Sequence, residues 1–168
     1  MFHNSFNNSL KPNFNTGILY TMILPIPQEK QLYDWDCGIK CLHNIMKYYG
    51  MNIKYSVLLS MSTHEEKWGV DPKTIEIIAG EFDLKTRTVS EGIDILRTAI
   101  IQQYPAIVLY QTDLSQDSGH YATVCGFENR NIILNDPNRD KLVSYPIPEF
   151  QQRWYGAGTS NLAIFIIK

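Results

Sequence analysis

No apolar run in this chain approaches the ~20 residues needed to cross a bilayer as a helix. The longest near the start, Gly17 to Ile26, contains Pro25 and is followed by Pro27, so no membrane span is expected. The segment ahead of it is asparagine-rich with Lys11 as its single lysine or arginine, which reads against a secretory signal peptide. Basic runs are missing too. Fifteen Lys+Arg stand against seventeen Asp+Glu, a net charge of −2, so nucleic acid is not an expected partner. Cysteine is scarce: three in 168 residues, an odd number in a chain large enough to need no staples. This fits free thiols and a reducing, cytoplasmic setting. The sequence also lacks a C-x2-C pair, a complete H-E-x-x-H (His64-Glu65-Glu66 has no second histidine and reads as a solvated helix or loop end) and a glycine-rich phosphate loop. No metal and no cofactor are therefore expected.

What is present suits one globular domain. Hydrophobic residues make up 44% and charged residues 19%, and a chain of about 150 residues buries roughly two-thirds of its unfolded surface. Residues 1–16 are polar and asparagine-heavy, with too few apolar groups to offset ordering entropy, so 1–21 reads as a loose tail and 22–168 as the working domain. From Asp36 onward, Ile39, Leu42, Ile45, Met46 and Tyr49 recur at helical spacing, with Gly50 at the expected C′ position. Asp36 is placed to cap this helix, which puts Cys37 in its first turn. Shorter helices are predicted over Tyr55–Met61, from Asp71-Pro72 through Phe82, and from near Ser90 through Ile100. After Pro105 the pattern becomes strand-like: 106–110, 121–127, 132–135, 142–145 and 162–167, with Glu128-Asn129-Arg130-Asn131 as a hairpin turn. The expected class is α+β, N-terminal helices packed on a C-terminal antiparallel sheet.

One cysteine differs from the others. Cys41 lies a turn inside the helix among apolar residues and Cys125 lies mid-strand, so both read as small buried hydrophobes. Cys37 sits where unpaired N–H groups and the helix dipole favour a thiolate, the form that attacks. His120 opens a strand after the loop residue Gly119, and Asp136 ends the next strand. The intervening hairpin makes these strands antiparallel neighbours and brings both residues to one sheet end. An acid there can hold an imidazole in the tautomer that takes a proton from a thiol. Gln31, six residues before Cys37, carries an amide that could join the Cys37 N–H in donating to an oxyanion.

Gln31 with Asp36-Cys37-Gly38, His120-Tyr121 and Asn135-Asp136-Pro137 resembles the papain-like cysteine peptidases of bacteriocin-processing transporters, which cleave leader peptides after a double glycine. The wording from Gln31 to Gly38 is closer still to papain-like relatives labelled guanylyl-cyclase-domain-containing, although the paired metal-binding acids of nucleotide cyclisation are missing. The resemblance covers about residues 28–155. It implies a papain-like fold, Cys37 as nucleophile, His120 as general base and acid, Asp136 as its orienting acid and Gln31 as oxyanion donor. It also implies that Trp35, Gly38, Gly119 and Tyr121 contribute to substrate binding. Lys40 departs from the small residue usual in the motif. The leading expectation is a peptide- or isopeptide-cleaving thiol hydrolase acting on a peptide or protein; an acyltransferase and a non-catalytic peptide-binding module remain alternatives.

Overall fold

The computed structural model describes residues 21–65, 69–115, 119–156 and 161–168. The asparagine-rich segment, residues 1–20 of the expected tail, and Glu66 of the His64-Glu65-Glu66 string lie outside these. The order of elements is β1 (Thr21–Ile23), α1 (Cys37–Tyr48), α2 (Tyr55–Met61), β2 (His64–Glu65), β3 (Gly69–Val70), α3 (Pro72–Glu81), β4 (Lys85–Ser90), α4 (Ile93–Ile101), β5 (Ala106–Tyr110), β6 (His120–Glu128), β7 (Asn131–Asn135), β8 (Val143–Pro146), α5 (Ile147–Gly156) and β9 (Leu162–Ile167). Antiparallel pairing runs β4-β9-β5-β6-β7-β8, with β1 also paired to β6. This is the α+β, papain-like arrangement expected.

Local rules account for the helices that frame the site. Ile39, Leu42, Ile45 and Met46 of α1 are fully buried, the apolar stripe that its spacing predicts. At its C-terminus Gly50 adopts φ +75, and the N–H groups of Gly50 and Met51 bond to the carbonyls of Lys47 and Met46. That closure needs a left-handed residue and so favours glycine. In α3 the Asp71 side chain accepts from Lys73 N at 2.7 Å, with Pro72 in the first turn. α1 differs at its start: Asp36 occupies the cap position, but its side chain makes no capping bond.

Two cores lie on opposite faces of the sheet. Helices α1, α2 and α3 cover one, against Ile107, Tyr121, Leu162, Ile164 and Ile166. Leu96, Ala99 and Ile100 of α4 and Phe150 and Trp154 of α5 cover the other, against Val108, Tyr110, Val124 and Phe165. Successive strand residues point to opposite faces, so the unbroken apolar strings of β5 and β9 are what a sheet buried on both sides requires. Sequence reading anticipated α1 to α4 and β5 to β9 without dividing the helices between two faces; β1 to β4 and α5 were not foreseen, and His64-Glu65, read as a helix or loop end, forms β2. β4 is an edge strand with the charged and polar string KTRTVS, and it forms because all six residues pair with β9. α5 docks through two residues, Phe150 and Trp154, each with no exposed surface. β6 changes register between Val124 and Gly126. A Cβ at Gly126 would collide with the backbone of Met22, so glycine there admits β1.

Candidate active site

The segment entering α1 is tied down on both sides before it reaches Cys37. Gln31 N–H donates to the Pro137 carbonyl at 3.0 Å, Gln28 Nε2 donates to the Arg139 carbonyl at 2.9 Å, and Lys30 pairs with Asp140. These contacts fasten the approach to the turn that follows β7. Towards α1, Asn44 Nδ2 donates to the Glu29 carbonyl, and the Glu29 carboxylate faces Lys47, Lys40 and His43. Asp36 is fully buried and uses its carboxylate to shape the last turn of the approach. It accepts from Leu32 N at 3.1 Å, Tyr33 N at 3.2 Å and the Tyr55 hydroxyl at 2.7 Å. Lys40 is accommodated beside it, with Nζ 3.5 Å from the centroid of the Tyr55 ring and 3.7 Å from Glu29 Oε2. Burial lowers the Lys40 ammonium from its ordinary value, against the pull of Glu29 and Asp36.

Across from the tip of α1, His120 is the register partner of Tyr110, and Asp136 directly follows the last residue of β7. His120 Nε2 lies 2.7 Å from Asp136 Oδ1. Nδ1 is not engaged by Asp136, and the Cys37 thiol is among the groups whose charge acts on the ring. Asp136 has no exposed surface and also receives the Tyr110 hydroxyl on Oδ2 at 2.7 Å and the Asn138 N–H on Oδ1 at 2.8 Å. Burial opposes an imidazolium, yet the hydrogen bonds and charges of Asp136 and Cys37 outweigh it and push His120 up to about 10. Burial likewise opposes the Asp136 carboxylate, but His120, Asn138 and Tyr110 hold its carboxyl below the ordinary value. Such an arrangement favours a protonated His120 at neutral pH.

The other residues singled out by sequence take distinct positions. The Gln31 side chain donates to the Tyr33 carbonyl at 2.8 Å, while its Oε1 is buried and unpaired. Trp35 is half-buried and stacked on Tyr33, with ring centroids 5.5 Å apart and planes 2° from parallel. Gly38 and Tyr121 are buried against each other: a Cβ at Gly38 would stand 2.8 Å from Ile75 Cδ1 and 3.0 Å from Tyr121 Cδ2. At Gly119 a Cβ would stand 2.8 Å from Leu109. Cys41 and Cys125 are buried, as expected. Burial pushes the Cys41 thiol well up, and Cys125 up to about 12. Among the described residues no group of three or more His, Cys, Asp or Glu is placed to hold a metal ion, and no helix is long and apolar enough to cross a membrane.

Sequence reasoning overlooked Tyr110 and Tyr55. The first was within reach of it, because antiparallel pairing of 106–110 with the strand opened by His120 sets Tyr110 opposite that histidine. No periodicity or motif pointed to Tyr55, which meets Asp36 only through the packing of α2 on α1.

Residues 26–159 match the Peptidase C39 family. The chain is 25% identical over 126 residues to the sublancin-168-processing and transport ATP-binding protein SunT of Bacillus subtilis (strain 168). That match covers 74% of this chain and 17% of the relative, so the chain spans less than a fifth of the curated protein. The crystal structure of the peptidase domain of Streptococcus ComA, a bifunctional ABC transporter involved in quorum sensing, superposes with a TM-score of 0.70 at 26% identity, covering 84% of this chain and 98% of that one. A double glycine motif protease from an AMS/PCAT transporter, solved with its leader peptide, shares the fold at 16% identity and a TM-score of 0.70, covering 88% and 95%. With most of its length matched, the chain belongs to the Peptidase C39 family and is an enzyme of the cysteine peptidase class.

Proposed function

We propose that this protein cleaves a peptide bond through an acyl-enzyme formed on Cys37, and that its substrate is a leader peptide ending in two glycines. Cys37 Sγ attacks the scissile carbonyl carbon as a thiolate, and the carbonyl oxygen becomes an oxyanion facing the Cys37 N–H and the second N–H of the Gln31 amide. His120 gives its proton to the leaving amine as the C–N bond breaks. It then takes a proton from the incoming water, whose oxygen displaces Sγ and releases the acid. Asp136 keeps the ring oriented and offsets its positive charge throughout.

The observation that carries this reading is the 2.7 Å contact of His120 Nε2 with Asp136 Oδ1, together with the place of Cys37 in the first turn of α1. The names of the relatives support the substrate class. Mass spectrometry of double-glycine leader peptides incubated with the protein and with Cys37→Ala tests it. Cleavage after the second glycine by the unaltered protein alone is expected. Equal cleavage by Cys37→Ala, or none by either, would refute it, and an added amine appearing in the product would convert the hydrolase into a transferase.

A further inference from the structure

We propose that Tyr110 is a positioning residue, whose hydroxyl fixes the plane of the Asp136 carboxylate and through it the orientation of His120. Two of the donors to Asp136, His120 Nε2 and Asn138 N–H, share Oδ1. With those alone the carboxylate could pivot about Oδ1, because the terminal torsion of an aspartate is broad. The Tyr110 hydroxyl holds the other oxygen, Oδ2, at 2.7 Å. Tyr110 is itself immobilised. It has no exposed surface, its backbone is the ladder partner of His120, and its ring packs against Tyr145 and Phe150 at centroid distances of 6.0 and 6.4 Å.

The electrostatic surroundings are defined from every side. His120 from β6, Tyr110 from β5 and the Asn138 N–H face the carboxylate, with Cys41 of α1 acting on it at longer range. Beyond Tyr110 stand Tyr145 of β8 and, over the Tyr145 ring at 4.9 Å, Arg153 of α5. Arg153 is engaged by Glu149 and by the Gln111 and Thr112 carbonyls. Loss of the Tyr110 hydroxyl leaves Oδ2 buried without that donor and weakens the support that Asp136 gives the imidazolium.

This inference rests on reading His120 and Asp136 as the pair that activates Cys37, but its test needs no peptide. The rate of Cys37 alkylation by iodoacetamide is followed by mass spectrometry between pH 5 and 9. Tyr110→Phe keeps the ring packing and is expected to slow Cys37 alkylation about tenfold. Asp136→Asn and Tyr110→Phe/Asp136→Asn are expected to react at the same rate, because Tyr110 acts only through Asp136. An unchanged rate in Tyr110→Phe, or equal further slowing when it is added to Asp136→Asn, would overturn the proposal. Proton NMR of the unaltered protein supplies an independent check. A slowly exchanging Tyr110 hydroxyl proton is expected, and a fast-exchanging one would overturn the proposal even if Tyr110→Phe failed to fold. Absence of leader cleavage would instead refute only the proposed function.

Discussion

Replacing Asp136 by Asn should change the pH at which the enzyme loses activity more than the activity it retains in acid. The substitution keeps the side-chain volume and removes the charge against which His120 is protonated. His120 stands at about 10, against about 6.5 for a free imidazole; burial lowers it, and Asp136 and Cys37 together outweigh burial to leave that net rise. If Asp136 supplies half, His120 falls to about 8; if it supplies nearly all, to about 6.5. At pH 8.5 the protonated fraction then drops from nearly complete to about a quarter in the first case and to about one per cent in the second. At pH 6 it stays above roughly three-quarters in both. The relevant assay is kcat/KM for leader cleavage from pH 5 to 10.5, read as the ratio of variant to unaltered enzyme at pH 6 and pH 8.5. Misorientation of the ring lowers both values equally, so the loss at pH 8.5 should exceed that at pH 6 by about fourfold or more. Equal losses at the two pH values would refute the reasoning.

The same pair should shape stability. His120 is raised on folding, so its contribution is complete below its unfolded value near 6.5 and is lost as pH rises through about 10. Asp136 is lowered, so its contribution is present above its unfolded value near 4 and lost as pH falls through the folded value. Thermal melts across that range should show both flanks weakened in Asp136→Asn, and a Tm profile identical to that of the unaltered protein would count against the pair. In the folded protein at pH 7.5, iodoacetamide should modify Cys37 and spare Cys41 and Cys125, whose thiols burial raises; comparable labelling of all three by peptide mapping contradicts this. Gly38→Ala gains about 1 kcal/mol of helix propensity but places a Cβ against Ile75 and Tyr121, at an overpacking cost of about 1–3 kcal/mol. Denaturant unfolding should show a net loss, partly relieved by adding Ile75→Val; a stabilised Gly38→Ala would mean that the helix tip has slack. Tyr55→Phe should cost about 2 kcal/mol by leaving the buried Asp36 carboxylate one donor short, and an unchanged urea midpoint would show that water or a neighbour replaces the hydroxyl.

Read alone, the sequence determined the helix that begins at Cys37 and the pairing of the strands that carry His120 and Asp136. The stripe of Ile39, Leu42, Ile45 and Met46 and the tight turn at Asn129-Arg130 are local signals, with periods and turn chemistry confined to a dozen residues. For the same reason it marked Cys41 and Cys125 as core thiols. It could not supply β4 or α5, because KTRTVS becomes a strand only by pairing with β9, more than seventy residues away, and α5 gains its burial from two aromatics on the far face of the sheet. Nor could it assign Asp36, which reads as a cap and instead accepts from Leu32, Tyr33 and Tyr55. Which donors surround a buried carboxylate depends on where separate elements cross, and that is settled only when the whole core is assembled. Strand pairing sets Tyr110 opposite His120, but only the assembled core delivers its hydroxyl to Asp136, and tertiary packing alone brought Tyr55 to Asp36.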